Sequence, residues 1–293
     1  MKAAVISGGG AWGAFSVGTL SALQKRYDIV AGVSTGSLMA PLVALGEWER
    51  LIEAYTSVNQ KDIFTYNPFR KSGKLSWIKA FWRVINFYET VGDSTALRRT
   101  IDKFLTIQDY DKLRFQRKLV TVACQEMRHE PEAIEHFTNL KVGFEDFKDF
   151  MWASANSPIA MSILKKGDYE YTDAGVSELL SLCRVLDIGA KEVDVFIHRP
   201  RPEKKVKSAT ADVIHNFFRL FTIMRKAIEA DDLEQGLLRA QLAGAKVNVC
   251  WLPRKLSENS LLFDKKVMQQ WVNEGMVTAN DASRWDCYDY SSS

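Results

Sequence analysis

Gly32-Val33-Ser34-Thr35-Gly36 lies between an apolar run, Tyr27 to Ala31, and a helix-favouring segment, Ser37 to Ala40. A strand must therefore turn sharply into a helix around a serine. Flanking glycines let the backbone pass tightly over its neighbours, which holds such a serine at the strand's carboxyl end with a helix N-terminus beneath it. An anion formed there meets free N–H groups. Many surface turns also match a G-x-S-x-G pattern, so the five residues do not fix the chemistry alone.

Context comes from the start of the chain. Lys2 to Ser7 reads as a buried parallel strand running into Gly8-Gly9-Gly10-Ala11-Trp12-Gly13, and a helix from Ala14 to Leu23 follows. Consecutive glycines before a helix present backbone N–H groups with no side chains in the way, suited to a phosphate or to a developing oxyanion. Gly8-x-Gly10-x-x-Gly13 is formally the dinucleotide-binding pattern, which expects an acidic residue at the end of the second strand. Here that strand ends in Gly32-Val33-Ser34, and Asp28 sits at its beginning, the wrong end to reach a cofactor.

With 293 residues, 46% of them hydrophobic, the chain has ample material for a buried core, and no linker divides it. A single domain over 1–293 is expected, with an aromatic and basic segment, 62–92, inside it. The net charge of +3 gives no general nucleic-acid footprint. The apolar start is broken by glycines and is needed for the first strand, so it does not read as a secretion signal. No apolar run approaches the ~20 residues of a spanning helix. Cys124, Cys183, Cys250 and Cys287 show no metal-ligand spacing and suit a reducing compartment. A cytoplasmic protein, peripheral at membranes through local patches, is expected. Nothing calls for a metal or cofactor, and the oligomeric state is not legible.

Along the chain, the helix after Ser34 is expected to continue from Pro41 to Val58 on Leu42, Leu45, Leu51, Ile52 and Tyr55. Residues 62–92 interleave aromatics with Arg70, Lys71, Lys74, Lys79 and Arg83, a composition suited to an anionic lipid interface. The spacing of Trp77, Ile78, Phe81, Val84, Ile85 and Tyr88 predicts the buried face of a cap helix. The loop from Tyr66 to Lys74 is expected to be the exposed lid or lipid-contact part. Thr95 to Phe104 reads as a helix, Lys118 to Cys124 as a strand and Ala133 to Phe137 as its partner. Glu192 to Ile197 and Lys246 to Trp251 are two further strands joined by a long helix, Ala209 to Ala243. The Val213, Ile214, Phe217, Phe218, Phe221, Met224 and Ile228 series predicts that this helix packs on the sheet. Arg199 to Lys207 is a second exposed basic candidate. Phe263 to Ala282 reads as a closing helix and the start of another, and Tyr288 to Ser293 as a polar tail.

Strands alternating with helices imply an α/β fold: a three-layer α/β/α sandwich with a mainly parallel central sheet and sites at the strands' carboxyl ends. A Ser34 hydroxyl needs a base. A Ser, Asp/Glu, His order could formally be completed by His198, at a strand end, or less well by His215, inside an amphipathic helix. His129 and His136 read as surface or satisfied histidines.

The order Gly-Gly-Gly-x-x-Gly, then Gly-x-Ser-x-Gly, then Tyr171-Thr172-Asp173-Ala174-Gly175-Val176 resembles the patatin-like phospholipase family over most of the chain. Trp152 to Pro158 resembles the small-residue segment before that family's aspartate, and Leu186 to Val195 the helix end and strand after it. The resemblance implies a lipid acyl hydrolase of phospholipase A or lysophospholipase type, with a lipid or membrane-surface substrate. It implies a Ser34–Asp173 dyad without histidine, Gly32 and Gly36 framing the nucleophile elbow, an oxyanion loop of Gly8, Gly9, Gly10 and Gly13, and an aspartate turn of Ala174 and Gly175. Taken alone, Asp173 also reads as a helix N-cap. Two positions depart from the family pattern. Trp12 stands where many members carry Arg or Lys. Ala174 replaces a glycine, at a cost on the order of 1 kcal/mol if that position needs φ > 0. A lipid-binding or protein-interaction module with vestigial chemistry is the alternative.

Overall fold

The computed structural model describes residues 1–70, 72–131, 133–201 and 213–291. Its strands are β1 Lys2–Ile6, β2 Ile29–Gly32, β3 Leu119–Glu126, β4 Ile134–Thr138, β5 Leu164–Lys166, β6 Tyr169–Asp173, β7 Glu192–Pro200, β8 Lys246–Leu252 and β9 Trp285–Asp289. The helices are α1 Gly13–Leu23, α2 Thr35–Leu45, α3 Trp48–Thr56, α4 Gln60–Ile63, α5 Trp77–Ile85, α6 Thr95–Phe104, α7 Ile107–Phe115, α8 Phe144–Ser154, α9 Leu182–Asp187, α10 Val213–Ala243 and α11 Lys265–Val277.

The strands form one sheet in the order β5-β6-β3-β2-β1-β7-β8-β9, with β4 also on β3. Its centre, β3-β2-β1-β7-β8, is parallel, and the flanking pairs are antiparallel. Alternation along the strands sends side chains to two cores. Ala4, Ile6, Val30, Val120 and Val122 meet Phe15 and Leu20 of α1, Met39 of α2 and Val272 of α11 on one face. Ala3, Val5, Ile29, Ala31, Val193 and Val195 meet α9 and α10 through Leu182, Val185, Leu186 and Ala240 on the other. The fold is the three-layer α/β/α sandwich with a mainly parallel sheet.

Five local expectations are corrected. The helix expected over 41–58 breaks at Gly46, whose left-handed backbone (φ 71°) ends α2 before α3 begins. The terminal segment is a strand: β9 pairs antiparallel with β8, Tyr288 opposite Val247. Met224 of α10 is exposed, not packed on the sheet; the side chains of Val213, Ile214, His215, Phe217 and Phe218 lie outside the described residues. In the 62–92 segment burial is inverted relative to the periodicity. Phe69 of the loop is buried, while Trp77, Ile78, Phe81, Trp82, Val84 and Ile85 of α5 face solvent and only Ala80 is buried. Finally, the basic stretch 199–207 is described only to Arg201, and there Arg199 pairs with Glu229 and Arg201 with Asp286. Lys71 also lies outside the described residues.

Candidate active site

β2 and β6 approach each other end to end along one edge of β3. β2 runs parallel to β3, placing Gly32 opposite Val122. β6 runs antiparallel to it, placing Asp173 opposite Cys124. β4 occupies the opposite edge, through Cys124↔Glu135 and Val122↔Phe137. The carboxyl ends of β2 and β6 are thus separated by two residues of β3, roughly 7 Å, with Ser34 on the turn leaving the first and Asp173 ending the second.

The elbow is held in a conformation that L residues rarely adopt. Ser34 has φ 55° and ψ −125°, which costs on the order of 1–3 kcal/mol and persists only where its surroundings over-determine it. They do so here. The Ser34 N–H donates to Ser154 Oγ at 3.0 Å, and Ser37 Oγ donates to the Ser34 carbonyl at 2.6 Å. Gly36 admits no side chain, because a Cβ there would sit 2.1 Å from the Ile6 carbonyl oxygen. The aspartate is anchored from the same segment: its N–H donates to the Asn156 carbonyl at 3.2 Å, and the Thr172 hydroxyl donates to that carbonyl at 2.9 Å. Sequence reasoning marked Trp152 to Pro158 only as a block of small residues. The block holds both Ser34 and Asp173 in place.

Asp173 is fully enclosed. Its Oδ1 accepts the Gly175 N–H at 2.8 Å, the capping role its sequence allows, and among the described residues Oδ2 has no hydrogen-bond partner. Burial raises its pKa above the usual carboxylate range, against the pull of the Arg225 charge, the Gly175 N–H and the nearby Ser34 hydroxyl. Ala174 is not among the positive-φ residues, so the anticipated strain there is absent.

The first glycine turn lies against the serine: a Cβ on Gly8 would be 3.0 Å from Ser34 Cβ. Gly10 has φ 53°, and a Cβ on it would meet the Ser260 carbonyl oxygen at 2.4 Å, so glycine is required on both counts. The Ala11 N–H donates to Ser260 O and the Trp12 N–H to Gly9 O. Among the described residues, the N–H groups of Gly8, Gly9 and Gly10 donate no such bond. Gly13 opens α1 against Met39 and Thr35. Trp12 Nε1 donates to Ser257 Oγ at 2.8 Å, so the indole ties the loop to the 257–260 segment, where a cation was expected from the resemblance.

Residues 4–180 match the family described as patatin-like phospholipase. The chain belongs to the patatin-like phospholipase family. Among curated proteins none matches. Among solved structures, the crystal structure of VipD from Legionella pneumophila is similar over 98% of this chain and 68% of that one, at 10% identity and a TM-score of 0.44. Membership of the patatin-like family carries a general lipid-ester hydrolase character.

His198, the remaining triad candidate, packs behind the patatin-like glycine loop: a Cβ on Gly9 would lie 2.4 Å from His198 Cβ. Among the described residues neither ring nitrogen bonds to Ser34 or Asp173, and burial pushes its pKa down to about 4. His129 and His136 are engaged elsewhere, by Glu126 and Glu178.

Arg225 of α10 was not singled out in the sequence. Its Nη2 lies 2.9 Å from the Cβ position of Gly8 and 3.0 Å from that of Gly175, touching both the glycine loop and the aspartate turn. Its helical spacing is that of an ordinary charged residue, so no sequence signal marks it.

Proposed function

We propose that the chain hydrolyses carboxylic esters of lipids, as a phospholipase A or lysophospholipase, with Ser34 as nucleophile and Asp173 as base. The observation that carries this is the meeting of Ser34 and Asp173 at one edge of β3, beside a glycine loop with unengaged N–H groups. Asp173 Oδ2 takes the hydroxyl proton as Ser34 Oγ attacks the ester carbonyl, and the oxyanion is held by the Gly9 and Gly10 N–H groups. The carboxylic acid then protonates the departing alkoxide, leaving an acyl-serine. Water, deprotonated by Asp173, attacks the acyl carbon, and Asp173 returns the proton to Ser34 Oγ as the acyl–oxygen bond breaks and the fatty acid leaves. A carboxylate of ordinary pKa near 4 is a weak base for serine. The burial that raises the Asp173 pKa strengthens it.

A fluorophosphonate probe tests the nucleophile, and ester hydrolysis tests the pair. Wild type is expected to be labelled and Ser34→Ala not. Both Ser34→Ala and Asp173→Asn are expected to lose at least about a thousandfold in kcat. An unlabelled, well-folded wild type would turn the reading toward a binding module of the same fold.

A further inference from the structure

Helix α5 is built backwards for a globular protein. At about 100° per residue, Trp77, Ile78, Phe81, Trp82, Val84 and Ile85 share an arc of roughly 160°, and that arc is turned to solvent. Ile78 is 79% exposed and Phe81 65%. The opposite side carries Ala80, the one buried residue of the helix, flanked by two basic side chains. Lys79 Nζ donates to the Asn67 carbonyl at 2.8 Å, and Arg83 Nε donates to the Thr90 carbonyl at 2.6 Å with its guanidinium over the Tyr88 ring. Just beyond the helix, Phe87 adopts a left-handed backbone (φ 57°) and leaves its ring 94% exposed. A contiguous apolar surface of this kind marks an interaction site.

Charge identifies the occupant. From Ile63 to Tyr88 the chain carries five basic residues, Arg70, Lys71, Lys74, Lys79 and Arg83, and no acidic one. An apolar face set in a stretch of sequence that carries cations alone fits an anionic lipid surface, with rings at head-group depth and bases on phosphate. Position agrees. Asn259 Nδ2 donates to the Gly73 carbonyl in the turn before α5 at 2.7 Å, and the neighbouring Ser260 carbonyl holds the Ala11 N–H of the glycine loop at 2.8 Å. We infer that α5, with Phe87, is an interfacial helix that seats the catalytic edge of the molecule on an anionic bilayer. This deepens the lipid-hydrolase reading and rests on it for its purpose, though not for its test.

Vesicles of ether-linked phosphatidylcholine, alone or mixed with ether-linked phosphatidylglycerol, offer no ester to cleave, so co-sedimentation measures docking alone. Wild type and Ser34→Ala are expected to bind the mixed vesicles equally and the zwitterionic ones weakly, with binding to the mixture falling as salt rises. An Ile78→Ser/Phe81→Ser/Phe87→Ser variant is expected to bind about 100-fold more weakly. Arg70→Glu/Lys74→Glu should weaken binding at least about tenfold at low salt. Both variants change exposed side chains and should hydrolyse a short soluble ester at the wild-type rate. Equal vesicle binding by wild type and the apolar variant would overturn the inference. So would a wild-type dimer dispersed by the same variant without any vesicle binding, which would assign the face to a second copy of the chain. If wild type cleaved no ester yet bound the mixed vesicles, the hydrolase reading would fail and the docking helix would stand.

Discussion

Asp173 is held at a cost to the fold. A carboxyl whose pKa is raised on folding favours the native state below its unfolded value near 4, and that contribution is lost as pH rises through the native value. At neutral pH, well above its unfolded value, the buried and half-satisfied side chain is therefore a liability. Asp173→Asn keeps the oxygen that accepts the Gly175 N–H and removes the charge. It is expected to melt above wild type at pH 7, with the gap closing as pH falls toward about 4. Thermal melts across that range check this; a pH-independent gap would assign the effect to packing. Arg225 acts on the same group in the opposite direction, holding the carboxyl down. Arg225→Met is thus expected to move the acid limb of kcat upward in pH, whereas a purely structural role would lower the plateau and leave the limb in place.

At the scale of elements, the glycine loop and the strand end behind it form one unit. A side chain on Gly9 collides with His198, which no rotamer change relieves because the contact is with Cβ. Gly9→Ala is expected to displace the loop and cost 10²–10³ in kcat, the range for losing an oxyanion donor. His198→Ala should instead cost roughly 2 kcal/mol of stability through the cavity it leaves, with kcat at low temperature changed only a few-fold. Urea melts beside initial rates separate the two, and a collapse of kcat in folded His198→Ala would argue for a triad. The elements that the sequence exposed most clearly, β1, β2, β3, β7 and β8, are central strands whose apolar-rich runs reflect their burial in the middle of the sheet. The misread ones sit at the edges. Trp285 to Asp289 alternates too weakly to announce β9, because an edge strand buries less. Periodicity located the apolar arc of α5 correctly but could not say which way it faces, since burial in protein and burial in lipid leave the same pattern.

Across the whole molecule, the legibility of the site follows from local geometry. Gly10 and Gly36 could be read because steric exclusion admits only one residue type there. Ser154, Asn156 and Arg225 could not, since each reaches the site from a distant element through only one or two contacts. The end-to-end meeting of β2 and β6 on β3 also has a consequence in time. In chain order the glycine loop and Ser34 come more than a hundred residues before Asp173. A growing chain thus holds the serine turn before it holds the carboxylate proposed to act on it. Under the proposed Ser34–Asp173 pairing, reactivity starts only when β6 zips onto β3, so the order of the chain makes closure of the sheet the step that arms the serine.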